Sequence, residues 1–147
     1  MRRLKSKAQW IPAFAGMTNH ASLERISMFE LKVKGDIASA HQLRGYEGRC
    51  KDLHGHTWKI EVTLMSEKLD AIGMVADFKV MKKLLKDVLD PIDHVYLNDL
   101  AFFKEANPTT ENIAKYIYRE FTKACQPLKL KQVEVWESES ASSIYYE

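Results

Sequence analysis

Two runs of alternating apolar residues bracket a loop flanked by histidines, and this pairing fixes most of what the chain can fold into. In the first run Phe29, Leu31 and Val33 alternate with Glu30, Lys32 and Lys34. In the second, Trp58, Ile60, Val62 and Leu64 alternate with Lys59, Glu61 and Thr63. A period of two marks a half-buried strand, with successive side chains on opposite faces. The first strand runs toward Ala38 and His41, and the second follows His54-Gly55-His56. The segment between them, 42–53, has the length of one hairpin loop, so the spacing predicts antiparallel pairing. His41 then comes to the end of the strand that carries His54 and His56. Those two imidazoles share a face because they are two residues apart.

Three neutral nitrogen ligands without an obvious fourth make the arrangement of a catalytic zinc site, where water or substrate takes the open position. Cys50 lies in the loop between the ligands. It is either a reactive thiol or the fourth ligand of a structural Cys-His₃ zinc, and spacing alone leaves both open. Asp93-His94 follows the helix-stopping Pro91. There a carboxylate can set an imidazole's tautomer and basicity, or both groups can simply be solvated. Glu137 ends a strand; if buried, it could accept paired N–H groups from a guanidine-like edge. Cys125, at the back of a helix, reads as a small core residue.

The remaining elements follow from period and caps. Asp77 can cap a helix with a buried stripe of Phe78, Met81, Leu84, Leu85 and Val88, stopped by Pro91. A second helix begins after Pro108, capped by Thr109 or Thr110, with Glu111 near the positive end of its dipole. Its stripe is Ile113, Ile117, Tyr118 and Phe121. Two strands close the chain, around 131–137 and 142–146, joined by a polar turn. The order β-β-α-α-β-β predicts an α+β domain: a four-stranded antiparallel sheet with two helices on one face. The edges of so small a sheet favour association with further copies.

The 147 residues suffice for one domain with a core. Residues 1–27 carry five basic groups and one acidic group. The other 120 residues hold 17 basic and 19 acidic groups, a net of −2 that gives no support to a nucleic-acid partner. No apolar run approaches the roughly 20 residues needed to span a bilayer, so no membrane role is expected. Two cysteines are too few for a disulfide scaffold and suit a reducing cytoplasm. Residues 1–27 lack a sustained period, and Pro12 and Gly16 break their apolar patch. They read as a disordered extension from an upstream start codon, with a signal peptide as the alternative. The domain is expected over 28–147.

The residues at these positions match a family. Ala38-x-Ala40-His41 with Leu43-Arg44-Gly45-Tyr46, Cys50-x-x-x-His54-Gly55-His56, Asp77-Phe78, Asp93-His94 and Tyr96-Leu97-Asn98 carry the resemblance. Asn107-Pro108-Thr109-Thr110-Glu111-Asn112 and Val135-Trp136-Glu137 extend it. Together they resemble the 6-pyruvoyl-tetrahydropterin synthase family, nearest its bacterial branch, the 6-carboxytetrahydropterin synthases of queuosine biosynthesis. The resemblance implies a tunnelling fold whose subunits close a β-barrel as a trimer, two trimers stacking into a hexamer. It implies Zn²⁺ on His41, His54 and His56, with Cys50 as the base and His94, oriented by Asp93, as the second acid/base. Asp93 and His94 would serve a site whose zinc and Cys50 belong to a neighbouring subunit. Glu137 would clamp the pterin, with Thr109, Thr110 and Glu111 lining the same end. The implied reaction is that of a carbon–carbon lyase. It converts 7,8-dihydroneopterin triphosphate to 6-carboxy-5,6,7,8-tetrahydropterin, acetaldehyde and triphosphate. Arg44, Arg49 and Lys51 are the loop cations available to the triphosphate. The pyruvoyl-forming synthase, on the same residues and substrate, is the alternative within the family.

Overall fold

The computed structural model describes residues 27–147. The expected N-terminal extension, apart from Ser27, lies outside the described residues. Strands β1 (Phe29–His41), β2 (His54–Ser66), β3 (Lys129–Ser138) and β4 (Ala141–Tyr145) form one antiparallel meander in the order β1-β2-β3-β4. Helices α1 (Phe78–Leu89) and α2 (Thr110–Ala124) fall between β2 and β3 in the chain. Helix α1 packs over β1, and α2 over β3 and β4. The predicted α+β class and the β-β-α-α-β-β order are what the structure has.

The register follows the hydrophobic alternation. Leu31 pairs with Leu64, Val33 with Val62 and Ile37 with Trp58, so the apolar sides of both strands meet under the helices. Trp58, Ile60, Val62 and Leu64 are fully buried there with Ile113, Ile117 and Phe121 of α2. Burying a side chain of this size contributes about 1.5–3 kcal/mol. Gly35 lies where α1 crosses β1. A Cβ at this position would stand 2.8 Å from Leu89 Cδ1, so a larger residue here would force that leucine side chain to shift.

The opposite face is polar but not uniformly exposed. Glu61 is 6% exposed because Lys32 and Lys34 of β1 fold over it, at 2.7 Å and 3.1 Å. Burial acts to raise the Glu61 carboxyl, yet the two ammonium groups outweigh it and leave its pKa below the ordinary value.

Both helices start as their sequences dictate. Asp77 caps α1 by accepting from Lys79 N–H at 2.6 Å, and Thr109 caps α2 by accepting from Asn112 N–H at 3.3 Å. One expectation fails: Phe78 does not join the buried stripe of α1 but is 55% exposed. As the first residue of the helix, its side chain leans back toward the N-terminus, past the covered turns. Leu89 takes its place, with Met81, Leu85 and Val88. No helix among the described residues is long and apolar enough to cross a membrane.

Candidate metal centre and active site

The hydrophobic face of the sheet ends in imidazoles. His41 is the last residue of β1 and His54 the first of β2, and the two are register partners. His56 lies two residues along β2 on the same face, followed by Trp58. One nitrogen from each imidazole falls within 4.8 Å of the other two. Cys50 is not among the residues of this cluster.

The hydrogen bonds behind the cluster decide its chemistry. His41 Nδ1 lies 2.7 Å from the carbonyl of Pro108, and His54 Nδ1 lies 2.7 Å from the carbonyl of Asp52. A carbonyl can only accept, so each Nδ1 carries the proton and each Nε2 presents a lone pair. These two Nε2 atoms face one another at 3.0 Å. Two acceptors at that distance repel unless a cation or a shared proton lies between them. A shared proton would charge one imidazole, and burial pushes the His41 pKa down, against that charge. His56 Nε2 is buried without a hydrogen-bond partner; Glu137 Oε1, at 3.6 Å, is too far to serve. A tetrahedral zinc with bonds of about 2.0 Å would hold its nitrogen ligands about 3.3 Å apart. The donor set and its spacing fit a divalent metal.

Trp58 forms a floor to this cluster. Its ring meets His41 edge-on at 4.9 Å and His56 at 5.2 Å, and it is wholly buried. Sequence reasoning placed Trp58 in the core but not against the ligands, although its spacing of two from His56 carried the signal.

The other expected site residues lie on four separate segments. Cys50 sits on a single 3-10 turn, Arg49–Lys51, half-buried, with its carbonyl accepting from Leu43 N–H at 2.8 Å. Asp93 is bolted to β1: its Oδ1 accepts from Ala38 N–H at 2.8 Å, and Oδ2 lies 2.9 Å from His94 Nδ1. The Ala38 amide, helped by His94, holds the Asp93 carboxyl below the usual carboxylate range. His94 donates its own N–H to Ala38 O at 2.8 Å, and its backbone is left-handed, φ +56°. No hydrogen bond or ion pair among the described residues joins Cys50 to Asp93 or His94. His94 and His56 instead line one open groove, with Ala38, Gly55 and Tyr96 on its walls.

Glu137 stands at a β-bulge between the pairs Trp136–Ser142 and Ser138–Ala141, the kind of irregularity that re-aims a side chain. It is half-buried and turned toward His56. Thr109 and Thr110 are engaged in starting α2: the Thr109 hydroxyl is the cap, and Thr110 is 9% exposed in the first turn. Glu111 is exposed beside them. Their link to the metal ligands runs through the adjacent Pro108 carbonyl. The Arg44 guanidinium is committed to the carbonyls of Phe103 and Ala106, at 2.6 Å and 3.0 Å, whereas Arg49 and Lys51 remain exposed.

Comparison with known proteins gives the family of this fold. The chain is 37% identical over 113 residues to the 6-carboxy-5,6,7,8-tetrahydropterin synthase of Synechocystis, covering 74% of this chain and 85% of the relative. The enzyme of the same name from Haemophilus influenzae is 28% identical over 142 residues, covering 82% and 100%. The solved 6-pyruvoyl tetrahydropterin synthase of Caenorhabditis elegans superposes with a TM-score of 0.76 at 28% identity, over 84% of this chain and 98% of that one. A model of the family described as 6-pyruvoyl tetrahydropterin synthase matches residues 30–147, and the chain belongs to that family.

Proposed function

We propose that the protein is a zinc-dependent 6-carboxytetrahydropterin synthase. It would convert 7,8-dihydroneopterin triphosphate and water to 6-carboxy-5,6,7,8-tetrahydropterin, acetaldehyde and triphosphate on the route to queuosine. The observation that carries this reading is the cluster of three imidazole nitrogens within 4.8 Å of one another, with Cys50 outside the ligand set. The bacterial relatives that bear the carboxypterin name favour this product.

Bound to His41, His54 and His56, zinc would supply Lewis acidity toward the oxygens of the substrate's side chain. Everything else falls to the chain's own residues. Cys50 as thiolate takes a proton from the side chain. His94 moves the second proton through Nε2, since its Nδ1 faces the Asp93 carboxylate, which fixes the tautomer. Glu137 accepts from the pterin's 2-amino and N3 groups by charge-assisted hydrogen bonds. Thr109, Thr110 and Glu111 close the same end, and Arg49 and Lys51 meet the triphosphate.

Asp93 and His94 would complete the site of a neighbouring copy. Two features support this: the His94 side chain is 79% exposed, and no direct bond ties it to its own Cys50. Among the described residues β4 is an edge strand, and the outer edge of β1 is covered near its end by the segment Asp93 to Tyr96. Edge-to-edge pairing of such strands would close a barrel as a trimer, stacked into a hexamer. The free thiols of Cys50 and Cys125 accord with a cytoplasmic location.

The deciding experiment incubates the zinc-loaded protein with dihydroneopterin triphosphate, analyses the products and measures metal on the same sample. Carboxytetrahydropterin with acetaldehyde supports the reading. Pyruvoyl-tetrahydropterin without acetaldehyde overturns it in favour of the triphosphate-eliminating synthase.

A further inference from the structure

Asn98 and Asn107 belong to the matching motifs, yet no step of the reaction uses them. Their side chains do the same unusual thing. Asn98 Oδ1 accepts from Gln42 N–H at 3.0 Å, and its Nδ2 donates to Gln42 O at 2.9 Å. Asn107 repeats this on Arg44: Oδ1 accepts from the N–H at 2.9 Å, and Nδ2 donates to the carbonyl at 2.9 Å. Each carboxamide thus gives one residue the two bonds that an antiparallel partner would give. The reciprocity also fixes both amide orientations, because a flipped amide would set oxygen against oxygen and N–H against N–H.

Gln42 and Arg44 are alternate residues directly after the ligand His41. Their main-chain groups point to one side and those of Leu43 to the other. The Leu43 N–H is the group that holds the Cys50 carbonyl, at 2.8 Å. The turn that carries the thiol therefore hangs from an amide whose two neighbours are clamped. Asn98 is 5% exposed, so little water competes for its bonds. Asn107 precedes Pro108, whose carbonyl orients His41, so one short segment registers both the metal ligand and the thiol loop.

We propose that Asn98 and Asn107 are positioning residues that set the place of Cys50 relative to the three-histidine cluster. The two carboxamides act as a substitute strand, prolonging β1 past His41 until it can hold the loop. This rests on the reading of Cys50 as the base.

The test uses the full chain loaded with zinc and two variants, Asn98→Leu and Asn107→Asp. Leucine nearly preserves volume and removes both bonds, while aspartate keeps the acceptor and loses the donor. The readouts are zinc per chain, the hydrogen-exchange rate of the Leu43 amide, the alkylation rate of Cys50, and kcat and KM. Zinc content is expected to stay at the wild-type level. Leu43 exchange should accelerate about tenfold, the factor expected for losing roughly one net hydrogen bond. The Cys50 alkylation rate should change with it. A fall of about tenfold in kcat with KM within about twofold separates positioning from lost binding. Should Asn98→Leu fail to fold, Asn107→Asp, on the more exposed side, gives the same readouts. Folded, zinc-loaded variants with wild-type Leu43 exchange and wild-type kcat overturn the proposal. If the wild type makes no pterin product while exchange and alkylation respond as stated, the functional reading fails and the clamp stands.

Discussion

The Nε2 atoms of His41 and His54 stand 3.0 Å apart on register partners, while the Nδ1 of each points at a main-chain carbonyl. Nothing among the described residues relieves that apposition, so metal binding and folding should be linked. Removing the metal with a chelator is expected to lower Tm. Returning it to about 100 times its Kd should restore about 2.7 kcal/mol, and His54→Ala should abolish that increment. Calorimetry with and without zinc checks this; a Tm indifferent to metal would contradict it.

Cys50 lies outside the imidazole cluster, on its own turn. Cys50→Ala is therefore expected to keep wild-type zinc content and an unfolding free energy within about 0.5 kcal/mol of wild type, the usual range for a substitution that leaves the core intact. Turnover should fall by at least about a hundredfold, the lower end of what a positioned proton-transfer group contributes. Metal analysis and single-turnover assays on one sample read both; loss of zinc would restore the Cys-His₃ alternative.

Trp58 fills space between the core and two ligands, but its Nε1 is buried without a partner. Trp58→Ala should cost about 3–5 kcal/mol by leaving a cavity. Trp58→Phe should cost much less, because it keeps a ring against His41 and His56 and removes the orphaned donor. Urea denaturation of the two variants compares them, and equal losses would mean that ring packing is not what Trp58 provides.

Glu61 offers a test by pH. Its folded pKa is lowered, so its contribution is present above the unfolded carboxyl value and is lost as pH falls through the folded one. Both lysines are substantially exposed, so the contribution at neutral pH should be modest, about 1 kcal/mol. Glu61→Gln should lower stability at pH 7 and converge with wild type in acid, below the folded pKa. A difference between the two proteins that does not shrink on acidification would assign the effect to packing instead.

What could be read from the sequence was what repeats or clusters. The period of two gave β1, β2 and the meeting of His41 with His54 and His56. Caps and stripes gave both helices, except that a stripe assigned from spacing cannot tell whether its first residue, Phe78, still has sheet beneath it. The supports of the site had no such signal. Pro108 and Asp52 act through carbonyls, which every residue has. Asn98 and Asn107 reach the main chain 56 and 63 residues away, a relationship without periodicity. Cys50 could be separated from the ligands only once its turn had a place.

His94 shows stability given up for position. Its φ of +56° is a conformation that costs a non-glycine residue about 1–2 kcal/mol. The fold holds it there by two bonds to Ala38, one from the His94 N–H and one into the Asp93 carboxylate. The imidazole itself is largely exposed, so its contact with Asp93 returns little stability. His94→Ala should keep the strain and lose the side chain. His94→Gly should lose both and be more stable than the alanine variant by about 1 kcal/mol, after allowance for glycine's greater freedom when unfolded. Both should lose turnover and keep zinc. Chemical denaturation of the pair measures the difference. If alanine proved as stable as glycine, the left-handed backbone would not be a strained feature of this site.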